Sequence, residues 1–485
     1  MRTSGALVAA LLMTAGGTHA ADSQTTRPDS VPRLLRTIEF GDYGGAVVRF
    51  GDLNGDGQIE ALVVQELGTE RGNCSNVTCL TAIDLEGRVL WQVGKPDPHN
   101  VFDGSDTPVQ IHDIDGDGQV EVVYQDAKNL LNILDGRTGR MKRQVQLEGG
   151  HDCILFADLT GSGRAQQMVL KDRYSRFWVY DPTQDFKLLW SKEKAVTGHY
   201  GINYDFNGDG KDELFIGYTL YAPDGKVIWS HPEFPSGRSH DDAVDVKRVD
   251  GKPVIALATS SDAIAVDAAG NVLFRKPYSH TQHAMLGRFR TDLPGMQAFY
   301  ISRNEREAAP GTRPGQAGVT ETLYTLSGAL LWDNTKQKEA DKDGFVTQAV
   351  VIGNWTGNPD ENFVCLNRRG NRPPALLDGW GREITVFPIP ARPSRRGAEG
   401  PARKAGPPDT HERYTNDYIK HMDLYGDSRE EILIFNEYAL YIFTNDAPVA
   451  AKAASGPGSE GWHRASGPLP EQVEWYNDTI YNGRR

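Results

Sequence analysis

One acidic nine-residue stretch recurs along this chain. It reads Asp52-Leu53-Asn54-Gly55-Asp56-Gly57-Gln58-Ile59-Glu60, then Asp113-Ile114-Asp115-Gly116-Asp117-Gly118-Gln119-Val120-Glu121, then Asp205-Phe206-Asn207-Gly208-Asp209-Gly210-Lys211-Asp212-Glu213. Oxygen donors at positions one, three and five, the backbone carbonyl at seven (Gln58, Gln119, Lys211) and the carboxylate at nine can wrap one Ca2+. The glycines allow the tight curl this requires. Short β-type runs flank the copies, residues 46–50 and 61–65 around the first, so these are not EF-hands. Calcium loops set between strands constrain the chain to a repeat architecture, with Ca2+ as its expected cofactor.

Worn copies of the loop extend the series, giving starts at Asp52, Asp113, Asp158, Asp205, Asp245, Arg288, Asn354 and Asp423. Most spacings fall near the roughly 40–50 residues of a four-stranded propeller blade. The longer gaps hold Pro/Gly-rich stretches such as 392–408, which read as surface loops. A Gly turn leading into an apolar strand with an aromatic end repeats in phase: Gly87-Arg88-Val89-Leu90-Trp91, Gly225-Lys226-Val227-Ile228-Trp229, Gly270-Asn271-Val272-Leu273-Phe274 and Gly328-Ala329-Leu330-Leu331-Trp332. Each aromatic is expected to wedge against the next blade. No stretch sustains a helical period. The expected fold is all-β: an eight-bladed β-propeller over residues 34–446, with residues 34–40 closing the ring against the last blade and 447–485 lying outside as a tail. The loops read as staples between blades, away from the chemistry. The Asp158 copy has lost two carboxylates, and in the last copy Arg429 is expected to stand in for the ion.

Residues 1–20 have the pattern of a secretory signal peptide: Arg2, an apolar run over 6–13 and small residues before Ala21. That run is too short to span a membrane, and no later segment is apolar enough to do so. A formal charge of −13 over 485 residues argues against nucleic acid or an anionic membrane surface as partner. The expected protein is secreted or periplasmic, monomeric, and able to act on an acidic polymer only through local positive charge or metal. Of the four cysteines, Cys74 and Cys79 could pair after export, whereas Cys153 and Cys365 read as buried thiols.

Counting back from the loops exposes a row of histidines. His151-Asp152, His199-Tyr200, His240-Asp241-Asp242, and His280 with His283 each precede a loop start by about five to eight residues on four successive repeats. That register places them near the beginnings of the innermost strands, at one mouth of the central channel, a usual position for a site. His112 and His421 fall on the strands and read as packing or polar-network residues. The third repeat adds Lys171-Asp172-Arg173-Tyr174, and the sixth adds Arg303-Asn304-Glu305. Candidates for proton transfer are therefore His151, His199, His240, His283, Tyr174 and Tyr200. Candidates for substrate contact are Lys171, Arg173, Arg303, Glu305, Asp152 and Asp242.

These residue types suit β-elimination on a uronic-acid polysaccharide. A cation neutralises the carboxylate next to C5, a base removes the C5 proton and an acid protonates the departing O4 oxygen. A glycoside hydrolase would use two facing carboxylates, which Asp152, Asp241 and Asp242 could provide. A non-catalytic carbohydrate- or protein-binding propeller built on FG-GAP-like calcium repeats is the reading from a different class.

Residues 199–230, 225–245, 283–295 and 423–431, with Gly426-Asp427-Ser428-Arg429-Glu430-Glu431 prominent, resemble the rhamnogalacturonan lyases of polysaccharide lyase family 11. The resemblance runs from about residue 52 to 446. It implies an exported eight-bladed propeller carrying several calcium ions, with a cleft calcium held by histidine and carboxylate. By position, His240, Asp242, His283 and Glu305 match those ligands. The chain departs from the family in two ways. Its first blade begins soon after the signal-like segment, without the small β-domain that usually precedes it. The approach to the last blade, residues 414–420, carries Lys420 rather than a clearly placed equivalent of the family's basic residue.

Overall fold

The computed structural model describes residues 27–448 apart from 69–74, 102–106, 127, 129, 149–151, 173, 200, 235–239, 279, 304–318, 336–345, 369–372, 396–416 and 426–428. The expected signal peptide and most of the expected tail thus lie outside the described residues. Eight four-stranded sheets follow one another along the chain. Their inner strands are Val47–Gly51, Val109–His112, Cys153–Ala157, Gly201–Tyr204, Asp241–Val249, His280–Gly287, Val346–Gly353 and Tyr418–Met422, and define blades 1 to 8 of a β-propeller. The eighth sheet is completed by the first described strand, Pro32–Glu39, antiparallel to the last described one, Ala439–Asn445. This is the closure read from residues 34–40. Among the described residues, helix is confined to three short 3-10 turns. Among those residues no helix is long and apolar enough to cross a membrane.

The two-residue period of the strands sorts their side chains between two neighbours. In blade 1, Val47, Leu62 and Val64 pack with Val109, Ile111 and Val122 of blade 2. The residues between them, Val48, Ala61 and Val63, pack with Leu433 and Ile442 of blade 8. Over the inner strands both faces of a sheet are therefore buried, and strands such as Val47–Gly51 and Cys153–Ala157 are buried at every residue. Apolar clusters of this kind fill all eight blade interfaces around the ring. Each fully buried Val, Leu or Phe in them contributes roughly 1.5–3 kcal/mol.

The outer aromatics lock successive blades together. Trp91 Nε1 donates to the Gly136 carbonyl at 2.7 Å, Trp229 to Ala268 at 3.0 Å and Trp332 to Gly379 at 2.8 Å, each on the following blade. The turn glycine there has to lack a Cβ: one on Gly270 (φ +85°) would meet the Trp229 ring at 2.9 Å.

Two local expectations change. Asp245 does not head a loop, because the inner strand of blade 5 runs on to Val249 and turns at Asp250-Gly251, both at positive φ. Its carboxylate instead accepts the Leu286 N–H of blade 6 at 2.8 Å. Arg429, expected to stand in for an ion, is buried and also donates to the Trp355 carbonyl at 2.8 Å, tying blade 8 to blade 7. Cys79 is a free, buried thiol, so it does not form the expected disulfide; Cys74 lies outside the described residues.

Candidate active site

Every inner strand opens its blade, so all eight run the same way. Their beginnings face one mouth of the channel and their ends, with the acidic loops, face the other. The two groups stand on the order of 15 Å apart, the length of such a strand.

Two β-bulges aim the central side chains at the first mouth. In blade 5, Asp241 pairs with Thr259 and Ala243 with Ala258, leaving Asp242 as the extra residue. In blade 6, Thr281 pairs with Ser302 and His283 with Ile301, leaving Gln282. A bulge re-aims the side chain of its extra residue, and here the two meet: Gln282 Nε2 donates to Asp242 Oδ1 at 2.8 Å. Around Asp242 stand His280 Nε2 at 3.1 Å, His240 Nε2 at 3.5 Å and His199 Nε2 at 3.9 Å. Tyr174 joins from blade 3, its hydroxyl 3.4 Å from His199 Nε2 and its ring centroid 4.8 Å from that of His240. Ser260 Oγ lies 3.2 Å from His240 Nδ1.

Asp242 is buried, whereas Tyr174 is 38% exposed, so the group opens toward the mouth through the phenol. Burial alone would raise the Asp242 pKa. Hydrogen bonds from His240 and His280, with their positive charge, outweigh it and hold the carboxylate well below its ordinary range. Its neighbour Asp241 shows the opposite balance. It is fully buried, and desolvation pushes it up to about 7. Its carboxylate fills the space beside Gly198 (φ +57°), where a Cβ would lie 1.5 Å from Oδ1. The Asp241 carbonyl accepts the His199 N–H at 3.0 Å, seating the start of blade 4 on blade 5.

Of the candidates named from the sequence, His199, His240, Asp242 and Tyr174 meet in this group. His280, from the same histidine pair as His283, takes the place expected of His283, which is completely buried within its strand. Lys171 and Asp152 are also fully buried. Lys171 Nζ lies 3.2 Å from Asp152 Oδ1 and donates to the Gly198 carbonyl at 3.0 Å, so the pair supports the site from behind instead of facing substrate. His151, Arg173, Tyr200 and Glu305 lie outside the described residues, and Arg303 ends a strand, Gln297–Arg303. His112 and His421 are network residues as read: His112 stacks on Phe156 at 3.9 Å and His421 Nδ1 lies 2.9 Å from Glu430 Oε2. Gln282 was missed. A bulge leaves no mark in the side-chain pattern, so its orientation was not legible.

At the opposite mouth the three acidic loops share one construction. Asp52, Asp113 and Asp205 accept the N–H groups of Gly55, Gly116 and Gly208, each at 2.7 Å. Glu60, Glu121 and Glu213 accept those of Leu53, Ile114 and Phe206. Asn54 Oδ1 accepts from Asp56 N, and Asn207 Oδ1 from Asp209 N. Asp56, Asp117 and Asp209 accept from the N–H of Gln58, Gln119 and Lys211. Burial raises Glu60, Glu121 and Glu213 each to about 7, and the neighbouring loop carboxylates add to it. Crowded acidic oxygens of this sort fit a hard divalent cation. In blade 2, however, Lys142 Nζ lies 2.6 Å from Glu121 and 2.9 Å from Asp115, and Arg164 reaches Asp113 at 3.2 Å. Side-chain cations already compensate that loop.

No protein-family model matches this chain. The chain is similar to the rhamnogalacturonan exolyase YesX of Bacillus subtilis (strain 168), 21% identical over 272 residues. It is similar also to the rhamnogalacturonan endolyase YesW of the same organism, 23% identical over 274 residues. These matches cover 43% and 44% of this chain, which spans 43% of the length of each of these curated relatives. Among solved structures, the rhamnogalacturonan lyase PL11 of Bacillus licheniformis superposes with a TM-score of 0.57 at 17% identity, over 96% of this chain and 80% of that one. The structural likeness is one of fold.

Proposed function

We propose that this protein is an exported polysaccharide lyase that cleaves a rhamnose- and uronate-containing polysaccharide, rhamnogalacturonan or a close analogue, by β-elimination. The observation that carries this reading is the meeting of His199, His240, His280 and Asp242 with the exposed phenol of Tyr174 at one channel mouth. The partial similarity to rhamnogalacturonan lyases supports the same reaction class.

Elimination beside a uronate needs the carboxylate neutralised, the C5 proton removed and the O4 oxygen protonated. The imidazole group supplies the positive side of the site, and Asp242 holds the His240 and His280 rings in place. Tyr174, exposed and beside His199, is the proton carrier. Hydrolysis is disfavoured by the carboxylates themselves: Asp152 and Asp241 are fully buried, so no second carboxylate of the expected set faces Asp242 across a glycosidic bond. Calcium, in this reading, staples the loops of blades 1 and 4 and stays out of the reaction.

The test is to incubate the purified protein with rhamnogalacturonan and other pectic polysaccharides and follow the ultraviolet absorbance of unsaturated uronate ends. A steady rise supports elimination. New reducing ends without that absorbance identify a hydrolase, and retention on a polysaccharide gel with neither product identifies a binding module.

A further inference from the structure

The three intact acidic loops share a backbone but not a way of balancing their charge. In blade 1 the third loop residue is Asn54, whose Nδ2 donates to Glu60 Oε1 at 2.8 Å, and in blade 4 Asn207 donates to Glu213 Oε1 at 2.9 Å. Blade 2 carries Asp115 at that position. An ionised carboxylate has no hydrogen to donate, so Asp115 and Glu121 would repel each other across the same gap. Lys142 fills it: Nζ lies 2.6 Å from Glu121 Oε1, 2.9 Å from Asp115 Oδ2 and 4.0 Å from Asp117 Oδ2. We propose that Lys142 and Arg164 together take the place of the calcium ion in blade 2, two tethered unit charges for one divalent ion, so that this loop is a metal-free copy of its neighbours.

Three observations carry the assignment. First, Lys142 stands at a fixed place in the repeat. In the outer strand of blade 2, Met141–Gln146, Met141 pairs with Leu134 and Arg143 with Ile133, leaving Lys142 as the extra residue of a β-bulge. The same bulge leaves Leu90 in blade 1 and Ile228 in blade 4, both exposed and apolar. A bulge aims its extra side chain, and in blade 2 that side chain is a lysine long enough to reach the loop. The change from Leu or Ile to Lys thus accompanies the change from Asn to Asp at loop position three. Second, Arg164 completes the set from position seven of the blade 3 loop. Its Nη2 lies 3.2 Å from Asp113 Oδ2 and its Nη1 donates to the Gly116 carbonyl at 2.9 Å. The matching residue in the loop that follows blade 1 is the neutral Gln119. Lys142 and Arg164 between them engage loop positions one, three, five and nine, the side-chain positions that would hold the ion. Third, the seat has an ion's size. One oxygen each from Asp113, Asp115 and Glu121 lie within 4.8 Å of one another, and a calcium shell is roughly 5 Å across. Glu121 is buried, so a loop without either kind of cation would leave its charge uncompensated. These residues lie at the mouth opposite the imidazole group, and the inference is independent of the lyase reading.

The experiment transplants the residues of blade 1 into blade 2. The full chain, stripped with chelator, is titrated with Ca2+ in a calorimeter as wild type and as the Lys142→Leu/Arg164→Gln double variant. The expected result is one calcium equivalent more in the double variant than in the wild type. In chelator the double variant has a lower urea midpoint, and added Ca2+ raises that midpoint by more than it raises the wild type's. Adding Asp115→Ala to the double variant removes the extra equivalent. In the otherwise wild-type chain Asp115→Ala leaves the calcium count unchanged, whereas Asp205→Ala loses one equivalent. An unchanged count in a folded double variant overturns the proposal. Loss of an equivalent from Asp115→Ala alone overturns it as well, and that measurement decides even where the double variant does not fold.

Discussion

Gln282 Nε2 donates to Asp242 Oδ1 at 2.8 Å across the boundary between blades 5 and 6, and each residue is the extra member of a β-bulge at the beginning of its inner strand. The site is thus built by backbone irregularity at matching levels of neighbouring blades. Asp242→Asn keeps the shape and removes the charge that His199, His240 and His280 surround, and it is expected to lower kcat/KM on rhamnogalacturonan by about 100- to 1000-fold. Gln282→Ala removes one hydrogen bond to a charged group, worth about 1.5–3 kcal/mol. Its expected loss is about 10- to 100-fold, read in the same steady-state assay.

Gly198 is the second point on which the site depends. It has φ +57°, and a Cβ would lie 1.5 Å from Asp241 Oδ1. Gly198→Ala is expected to cost about 3 kcal/mol through strain and overpacking combined. A urea midpoint within error of the wild type would contradict the close approach.

A buried carboxyl before the inner strand of blade 8 makes stability depend on pH. Burial pushes Asp417 up to about 6 from 3.8, against the lowering effect of the Asn436 amide at 2.8 Å. Because the folded value is raised, the folded state holds its proton longer than the unfolded chain. The stabilisation is complete below the unfolded value and is lost as pH rises through about 6. Asp417→Asn cannot titrate. The advantage of wild type over the variant should therefore shrink by about 3 kcal/mol between about pH 4 and pH 8. Urea unfolding at the two pH values checks this, and a gap independent of pH would refute it.

Calcium should act on stability and not on turnover. At a free concentration a hundredfold above Kd, each occupied loop adds about 2.7 kcal/mol, so chelation should lower the unfolding midpoint. Asp205→Ala is expected to remove one calcium equivalent in titration calorimetry while leaving kcat unchanged. Asp113→Ala should change calcium binding far less, because Lys142 and Arg164 already sit among the carboxylates of that loop. Equal losses from the two variants would contradict the distinction.

Much of the fold was legible because each repeat states its local structure twice, in the acidic loop and in the Gly turn that precedes a strand with an aromatic end. Trp91, Trp229 and Trp332 lie where that second pattern puts them, bonded to the next blade. Asp245 was misread because a charged residue followed by a turn-like stretch looks like a worn loop, whereas alternation along the strand carries its carboxylate to Leu286 of the next blade. Register from the loops located His199, His240 and Asp242. It did not separate His280 from His283, since a bulge shifts the inside–outside phase by one residue without altering composition. Lys171 read as a substrate contact. Its burial follows from tertiary partners, Asp152 and the Gly198 carbonyl, that no local pattern reveals.

The most direct test of the central claim is the rate at which unsaturated uronate ends appear from rhamnogalacturonan with wild type and with the His199→Ala/His240→Ala double variant. The account predicts a steady ultraviolet rise from the wild type and a rate at least about 1000-fold lower from the variant, once circular dichroism shows that its propeller is folded. No rise from the wild type, or equal rates from both proteins, would contradict it.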